Sequence, residues 1–300
     1  MRLVTRGDFD GLVCGVILTI ALDIDSFLLA KPHEIQENVF PISKNDVIAN
    51  LPYHSDCGLW FDHHINEVKL AGKINFKGAF KVAPSCSRVV YDYYLNEISE
   101  LERFEKIVHV ADKIDSAQLS LEDIKNPHKW FIIERTLHAY DPNGRLGDFQ
   151  EYFTDLIEWI KTYSLSTILM MDEVQSRIEH VRSEHKIFIN ALRESSHTEQ
   201  NVILTDTREY DYFPNGNRYL IYTLFPQQNV SLSIFNVRGS DQSVIFCGHN
   251  IFNKTCRTDV GELMSRYGGS GRLSAGSCAV NRSDADVIYR EICQTLIENG

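Results

Sequence analysis

The stretch Thr-Arg-Gly-Asp-Phe-Asp-Gly at residues 5–11 decides the fold of the first part of the chain. A short apolar segment precedes it and an apolar run at residues 12–22 follows, which is the pattern of a strand, a sharp polar turn and a helix. Side chains two residues apart in an extended segment point the same way, so Asp8 and Asp10 can face one site. Gly11 permits the tight turn into the helix. The stretch therefore predicts the front of an α/β unit with two carboxylates at its first strand end.

Two more polar groups follow predicted apolar elements. Asp62, His63 and His64 come directly after the apolar residues 59–61, and Asp112 and Asp115 end an apolar helix. Ligands of parallel sheets bind at the carboxyl ends of the strands, so we expect these side chains to meet Asp8 and Asp10 there. Mixed carboxylate and imidazole ligands suit Mn²⁺, Mg²⁺ or Fe²⁺ better than a thiolate zinc site. The pattern therefore predicts a metal centre.

The alternation of apolar segments predicts two domains. In the first, strands are predicted at residues 25–29, 38–42, 46–50 and 58–61, and helices at 86–98 and 101–111. A helical region at 149–193 ends in a charged connector. The chain then becomes β-rich, at residues 202–206, 218–225, 229–236 and 242–247, with helices at 259–266 and 284–298. We expect an α/β fold, with a mainly parallel sheet flanked by helices in residues 1–195 and a smaller α+β domain in residues 200–300.

Composition narrows the class of protein and of substrate. The formal net charge of −11 argues against a protein that coats long nucleic acid, but it leaves room for a short phosphorylated substrate in a locally positive pocket. Seven scattered cysteines without a CxxC pair favour a reducing, cytoplasmic location. No apolar stretch reaches the roughly 20 residues that span a bilayer, so no membrane association is expected.

Two motifs resemble those of the DHH phosphoesterases. The first is residues 5–11 followed by Asp62-His63-His64, and the second is Tyr-Gly-Gly-Ser-Gly-Arg-Leu-Ser-Ala-Gly at residues 267–276. The second motif is similar to the glycine-rich loop of the DHHA1 domain, which accompanies the DHH domain in this family. The chain looks most like the short two-domain members, the nanoRNase and pAp-phosphatase branch and proteins related to exopolyphosphatases. The resemblance covers both ends of the chain, while residues 120–200 contribute only a helical pattern.

The resemblance implies a Mn²⁺-dependent phosphoesterase that uses two metal ions to activate water. The metal ligands that it implies are Asp8, Asp10, Asp62, His63 and Asp112, with Asp115 as a neighbour. His64 and Arg6 are the implied catalytic residues beside the substrate. Three positions depart from the family pattern, because Arg6 and Arg272 replace histidines and Asn50 stands where a bridging aspartate is expected. These departures leave open a single tightly held ion, a second ion that binds only when substrate is present, and also a nucleotide- or phosphate-binding protein without turnover.

The glycine-rich motif is the predicted substrate-binding element. Gly268, Gly269 and Gly271 would let backbone N–H groups approach an anion, and Arg272, with Arg257 as a weaker candidate, could bind its oxygens. The other interpretation is a plain turn between a helix and a strand. Short oligonucleotides and pAp are the first substrate candidates, inorganic polyphosphate the second and cyclic dinucleotides the third. A homodimer is one possible assembly.

Two residues beside the expected site receive ordinary structural interpretations. Ser85 is predicted to cap the N-terminus of the helix that follows it rather than to act as a nucleophile, because serine commonly accepts a hydrogen bond from the first turn. Arg88, in the first turn of the same helix, is predicted to be a solvated surface charge.

Overall fold

The computed structural model describes residues 1–139 and 144–300, which form two compact units. The first unit consists of residues 1–123 and 127–180, and the second of residues 124–126 and 181–300. The predicted fold class is confirmed, because a parallel sheet with flanking helices forms the first unit and a mixed sheet with helices forms the second.

The sheet of the first unit has five strands, all parallel. They are β1 (Arg2–Thr5), β2 (Ser26–Leu29), β3 (Asp46–Ala49), β4 (Leu59–Asp62) and β5 (Gly78–Phe80). Their spatial order is β2-β1-β3-β4-β5, and each neighbouring pair is hydrogen-bonded in parallel register. From β1 the chain continues to β2 on one side, and then to β3 and β4 on the other, so the strand order reverses between β1 and β3. In parallel sheets, ligands bind at the carboxyl ends of the strands on either side of such a point. The strand order alone therefore locates a ligand site at the ends of β1 and β3.

The helices of the first unit cover the sheet and carry several of the predicted site residues. They are α1 (Phe9–Ala21), α2 (Pro32–Gln36), α3 (Val68–Ala71), α4 (Cys86–Tyr94), α5 (Glu105–Asp115), α6 (Leu121–Lys125), α7 (Trp130–Thr136), α8 (Phe149–Thr162), α9 (Leu165–Ile168) and α10 (Asp172–Ser195), of which α6 and α10 continue into the second unit. Two 3-10 helices occur at Ile65–Glu67 and Ser99–Phe104. Residues 9–18 of α1 are all buried, which explains why its sequence is apolar on every side.

The turn between β1 and α1 requires its glycine. A Cβ atom on Gly11 would lie 2.1 Å from the carbonyl oxygen of Arg6 and 2.9 Å from Thr5 Oγ1. Any larger residue would push the first turn of α1 away from the end of β1. The glycine at this position therefore brings Asp8 and Asp10 close to the edge of the sheet.

The predicted strand at residues 38–42 is absent from the described structure. Asn38 has a φ of +56° and closes α2, and Pro41 has no N–H group with which to join a ladder. Val39, the apolar residue that favoured a strand, is 54% exposed. Backbone geometry thus outweighed the apolar residues of this segment.

The second unit contains a six-stranded mixed sheet. Its strands are β6 (Ser196–Glu199), β7 (Val202–Asp206), β8 (Val230–Asn236), β9 (Gln242–His249), β10 (Ser270–Arg272) and β11 (Ala275–Asn281). Their order is β10-β11-β9-β8-β7-β6, with β7 and β8 parallel and the other pairs antiparallel. The helices are α11 (Leu220–Leu224), α12 (Val260–Ser265) and α13 (Ala285–Glu298).

The β-rich pattern at residues 218–225 was wrongly interpreted, because the structure has α11 there. Asn217 starts the helical turn, since its side-chain oxygen accepts a hydrogen bond from the N–H of Tyr219 and its carbonyl accepts one from Leu220. Leu220, Ile221 and Tyr222 are buried at consecutive positions. A short buried helix and a short buried strand have the same apolar sequence pattern, so periodicity does not separate them.

No helix in residues 1–139 and 144–300 combines the length and the apolar character that crossing a membrane requires.

We expect the core residues of the parallel sheet to contribute far more stability than apolar residues at its surface. Ile48 in β3 is completely buried, so Ile48→Ala should lower the free energy of unfolding by about 2–5 kcal/mol. Ile65 is 63% exposed, and Ile65→Ala is the matched control, with an expected change within about 0.5 kcal/mol. Urea unfolding followed by circular dichroism measures both, and equal losses would show that the sheet is packed differently.

Candidate metal centre

The predicted site residues of the first unit lie at the ends of three neighbouring strands. Asp8 follows β1 and caps α1, where its Oδ1 accepts a hydrogen bond of 2.9 Å from the N–H of Gly11. Asn50 comes directly after β3, and Asp62 is the last residue of β4, followed by His63. These strands are adjacent in the sheet, so the predicted meeting of motifs from distant parts of the sequence occurs at the expected edge.

Asp10 and Asp62 are the two most buried of the carboxylates predicted to bind metal. The Asp10 side chain is 3% exposed, and its two oxygens each accept a hydrogen bond of 2.8 Å, from the N–H groups of Cys86 and Ser87 in the first turn of α4. Burial, together with the nearby charges of Asp115 and Asp8, raises the pKa of Asp10 from 3.8 to about 8, while the contacts from Ser87 act in the opposite direction. A positive charge nearby would let this carboxylate stay ionised at neutral pH.

The His63 ring is oriented as a metal ligand would be. Its Nδ1 donates a hydrogen bond of 2.9 Å to the carbonyl oxygen of Ala83, which leaves the lone pair on Nε2. Nε2 lies 3.3 Å from Asp115 Oδ2, and within the described residues it makes no hydrogen bond, although the side chain is only 5% exposed. Burial is the largest influence on the pKa of His63 and lowers it, Asp115 raises it and His64 lowers it, with a net decrease. A neutral imidazole with its lone pair directed at a carboxylate fits a shared cation.

Two groups of side chains in the described structure could hold an ion. One consists of Asp10, His63 and Asp115, and the other of Asp62, His63 and His64, with the ligand atoms of each group within 4.8 Å of one another. Carboxylate oxygen and imidazole nitrogen are donors that Mn²⁺, Mg²⁺ and Fe²⁺ accept. The residues present therefore fit a divalent cation.

Two buried side-chain oxygen atoms at this edge of the sheet accept no hydrogen bond from the described residues. Asp62 Oδ1 accepts a hydrogen bond of 2.8 Å from His64 Nδ1, but Asp62 Oδ2 has no hydrogen-bond partner among the described residues. Asn50 Oδ1 is in the same state, and both side chains are at most 1% exposed. Buried acceptors without a donor are uncommon in folded proteins and indicate a water molecule or an ion.

Asp8 belongs to neither group, because other residues occupy its oxygens. Arg6 Nε lies 3.0 Å from Asp8 Oδ2, and Asn50 Nδ2 donates a hydrogen bond of 3.2 Å to Asp8 Oδ1. The N–H of Gly11 is a further donor to Oδ1. The predicted ligand role of Asp8 is not supported by this arrangement and stays a prediction.

Asp112, the other predicted ligand outside both groups, is bound by an arginine. Its Oδ2 accepts hydrogen bonds from Nε and Nη2 of Arg88 at 3.1 and 2.8 Å, and its Oδ1 accepts one of 2.6 Å from Ser85 Oγ. Asp115, three residues further along α5 and predicted as a neighbour of the site, lies beside His63, with its Oδ2 3.3 Å from His63 Nε2. The buried residues Val108 and Ala111 precede Asp115 at helical spacing, and this pattern is the sequence signal that favours Asp115.

Of the two structural predictions for Ser85 and Arg88, the structure confirms the first and contradicts the second. The capping role of Ser85 is confirmed, because its Oγ accepts a hydrogen bond of 3.0 Å from the N–H of Arg88. The description of Arg88 as a solvated surface charge was wrong, because its side chain is 23% exposed and is bound to Asp112. Sequence spacing could not reveal this pair, since its members are 24 residues apart on different helices.

The glycine-rich motif lies in the second unit, where it follows α12 and forms β10 and the start of β11. A Cβ atom on Gly269 would lie 2.2 Å from the carbonyl oxygen of Ser277, and one on Gly271 would lie 2.5 Å from that of Ala275. Gly268 has a φ of +74°, as a residue that follows a helix end often does. Close backbone packing therefore accounts for Gly269 and Gly271, and the positive φ accounts for Gly268.

The two arginines predicted to bind substrate are both on the second unit, and Arg272 is exposed there. Arg272 ends β10, and Arg257 comes shortly before α12. The predicted anion-binding role of these arginines and of the glycine-rich motif stays a prediction.

Comparison with solved structures gives a relative of substantial identity. The chain matches no protein-family model and no curated protein. Among solved structures it is similar to PggH, a pGpG-specific phosphodiesterase from Vibrio cholerae, with 31% identity and a TM-score of 0.82 over 100% of this chain and 99% of that chain.

Two more distant structures share the fold. One is a DHH-domain protein described as a member of the s1p family of ribosomal proteins, with 13% identity and a TM-score of 0.65 over 99% of this chain and 86% of that chain. The other is RecJ from Thermus thermophilus in complex with Mn²⁺, with 13% identity and a TM-score of 0.57 over 99% of this chain and 52% of that chain.

The raised pKa of Asp10 predicts a pH dependence of stability in protein that a chelator has stripped of divalent cations. The folded state keeps a proton on Asp10 up to about pH 8, while the unfolded chain loses it near pH 3.8. The folded state thus binds more protons between these values, and the contribution of Asp10 to stability falls as pH rises through this range.

Melting temperatures in EDTA between pH 5 and 8.5, for wild type and for Asp10→Ala, measure this contribution as the difference between the two slopes. We expect the wild type to lose stability more steeply than the variant, and a saturating divalent cation to reduce the difference, because the cation competes with the proton. Parallel curves in EDTA would contradict the burial of an ionisable Asp10.

Proposed function

Since the chain belongs to the DHH phosphoesterase family, we propose that it is a metal-dependent phosphodiesterase that hydrolyses a short linear nucleotide, with pGpG as the first candidate. One observation carries the proposal: a chain similar over its whole length to a pGpG-specific phosphodiesterase contains the buried group Asp10, His63 and Asp115. Short oligonucleotide ends and pAp are the next candidates, followed by inorganic polyphosphate and cyclic dinucleotides.

The residues of the group have distinct tasks in this reaction. Asp10, His63 and Asp115 would hold the cation, which supplies a polarised phosphoryl oxygen and a water of lowered pKa. His63 is kept in the ligand tautomer by its hydrogen bond to the carbonyl oxygen of Ala83. Backbone N–H groups of α4 hold the Asp10 carboxylate in place, so the binding geometry exists before substrate arrives.

His64 is the candidate for proton transfer. Asp62, which is 1% exposed, accepts the Nδ1–H of His64 and therefore fixes the orientation of the ring. A protonated His64 could donate from Nε2 to the leaving oxygen of the substrate. Its side chain is 23% exposed, so a substrate could reach it.

Arg6 is proposed to bind the phosphate. Its Nε faces Asp8, and a guanidinium has further N–H donors that can bind phosphate oxygens. The Arg6 side chain is 38% exposed, which makes these donors accessible. Arg272 and Arg257 in the second unit are proposed as additional contacts to the anionic substrate.

The donor set favours Mn²⁺, with Mg²⁺ and Fe²⁺ as the other candidates, because it mixes carboxylates with imidazole. The net charge of −11 favours short substrates over long nucleic acid, which needs an extended basic surface. A cytoplasmic location and a homodimer remain part of the proposal.

The second candidate function is a nucleotide-binding protein without turnover. One observation favours it: the side chains beside Asp8 are those of Arg6 and Asn50, where a metal-binding histidine and aspartate were expected. Such a protein would bind the same nucleotides and leave them intact.

We expect the purified chain with Mn²⁺ to convert pGpG and one water into two molecules of pG, measured by anion-exchange chromatography. The matched substrates are pAp, inorganic polyphosphate and cyclic di-GMP, and pGpG should be hydrolysed fastest. A chain that binds pGpG in equilibrium dialysis but releases no product from any of the four would support the non-catalytic function.

The structure predicts different results for the two acidic residues of α5. Asp115→Asn should remove the bound ion and lower kcat/KM by about 100-fold or more, because it weakens a direct ligand. Asp112→Asn should keep the ion, since Asp112 is bound by Arg88 and Ser85, and should mainly lower stability, by about 1–3 kcal/mol. Metal content by mass spectrometry, together with kinetics and urea unfolding, separates the two. Loss of the ion in Asp112→Asn alone would reverse the assignment.

A further inference from the structure

We propose that this chain binds one divalent cation, at Asp10, His63 and Asp115, and that the guanidinium of Arg6 supplies the positive charge beside Asp8 in place of a second ion. The proposal rests on the proposed function, because it concerns the same site. It names the position of the ion and the residue that makes a second ion unnecessary.

The two carboxylates of the first motif have different electrostatic surroundings. Asp8 Oδ2 lies 3.0 Å from Arg6 Nε, so its charge is matched by a fixed cation of the chain itself. Asp10, two residues later, is 3% exposed, accepts hydrogen bonds from neutral N–H groups and forms no ion pair with a cationic side chain among the described residues. A buried carboxylate without a cation is costly to keep charged. Of the two, Asp10 is therefore the one whose charge calls for a metal ion.

The groups that contact Asp8 are nitrogen donors. Its Oδ1 accepts hydrogen bonds from the N–H of Gly11 and from Asn50 Nδ2, and an amide nitrogen does not bind Mn²⁺ or Mg²⁺ as a carboxylate oxygen does. Arg6 stays protonated and has no lone pair to offer. A divalent ion at Asp8 Oδ2 would also be repelled by the guanidinium 3.0 Å from that atom.

The atoms around Asp10 are good ligands. His63 Nε2 is buried, has its lone pair available and lacks a hydrogen-bond partner in the described ranges. It lies 3.3 Å from Asp115 Oδ2, and both residues belong to the group that includes an oxygen of Asp10. An unpartnered nitrogen that is more than nine-tenths buried is the independent observation that points to an ion here rather than to a mere cluster of acids.

A second arginine, Arg88, forms an ion pair with Asp112 of α5, as Arg6 does with Asp8. Arg88 binds Asp112 Oδ2 through two nitrogens, at 2.8 and 3.1 Å. Guanidinium groups thus neutralise Asp8 and Asp112, the two predicted ligands that lie outside both groups of potential metal-binding residues in the described structure. The two groups share His63, and we assign the ion to Asp10, His63 and Asp115, since Asp62 is already bound to His64 by a hydrogen bond of 2.8 Å.

The experiment counts Mn²⁺ ions and measures whether they are close together. The full chain is saturated with MnCl₂, desalted and analysed for manganese by mass spectrometry, and its electron paramagnetic resonance spectrum is recorded. We expect one ion per chain and the spectrum of an isolated Mn²⁺. Two ions per chain with an exchange-coupled spectrum would overturn the inference and leave the proposed function standing. One ion without hydrolysis of any substrate would support the inference and contradict the proposed function, and a chain that retains no ion would overturn both.

Substitutions test whether Arg6 and Asn50 exclude the second ion. The double variant Arg6→His/Asn50→Asp places an imidazole and a carboxylate beside Asp8, and aspartate tolerates the φ of +58° at position 50. We expect it to bind two ions and to show a coupled spectrum, while Arg6→Gln, which removes the charge without adding an imidazole, should bind one. Arg272→His in the second unit is the matched control and should also bind one. A double variant that melts as the wild type does but still binds one ion would contradict the role given to Arg6 and Asn50.

Discussion

The first unit depends on one buried carboxyl group, that of Asp10. The end of β1 and the N-terminus of α4 meet around this group, because its oxygens accept the N–H groups of Cys86 and Ser87. These N–H groups have no partner within their own helix, and the helix dipole favours an anion at this end. One interaction therefore satisfies the start of α4 and places a carboxylate where the strand order leaves a crevice. Hydrogen bonds from neutral donors would not cancel its charge once it ionises, and that charge is what a divalent cation would neutralise.

Carboxylates at this edge of the sheet fall into two classes, according to whether an arginine reaches them. Asp8 and Asp112 are bound by Arg6 and Arg88, and Asp10 is bound by backbone N–H groups. A side chain paired with a fixed cation gains little from a metal ion, whereas an unmatched buried charge gains much. The number of acidic residues in the motifs is therefore a poor guide to the number of ions. The identity of their nearest neighbours, which only the fold brings together, is the better guide.

The second unit illustrates how one motif can serve packing. The glycines at 269 and 271 lie so close to neighbouring carbonyl oxygens that a Cβ atom would not fit. Their presence follows from the antiparallel hairpin of β10 and β11 and needs no ligand. Arg272, at the exposed end of this hairpin, is the position from which an anion could be contacted. The close packing of the hairpin is thus a sufficient reason for these glycines, and their presence does not by itself indicate a phosphate site.

The sequence by itself determined the class of the fold, the parallel sheet and the three strand ends at which polar residues gather. Apolar strands that end in Asp-x-Asp or Asp-His-His are local features, and the rule that ligands meet at carboxyl ends of parallel strands connects them without coordinates. The errors at residues 38–42 and 218–225 were also local, because short apolar segments do not distinguish strand, helix and loop.

Only the tertiary structure decided which of the gathered residues form one group. Asp112 and Asp115 lie in the last turn of the same helix, and their contacts differ because Arg88, from another helix, binds Asp112, while His63 lies beside Asp115. Arg6 and Asp8 are two residues apart, so the sequence could predict their ion pair. It could not predict that Asp10 would be buried and form no ion pair with a cationic side chain among the described residues. Distances of a few ångströms between residues that are dozens of positions apart decide the electrostatics of the site, and sequence spacing carries no information about them.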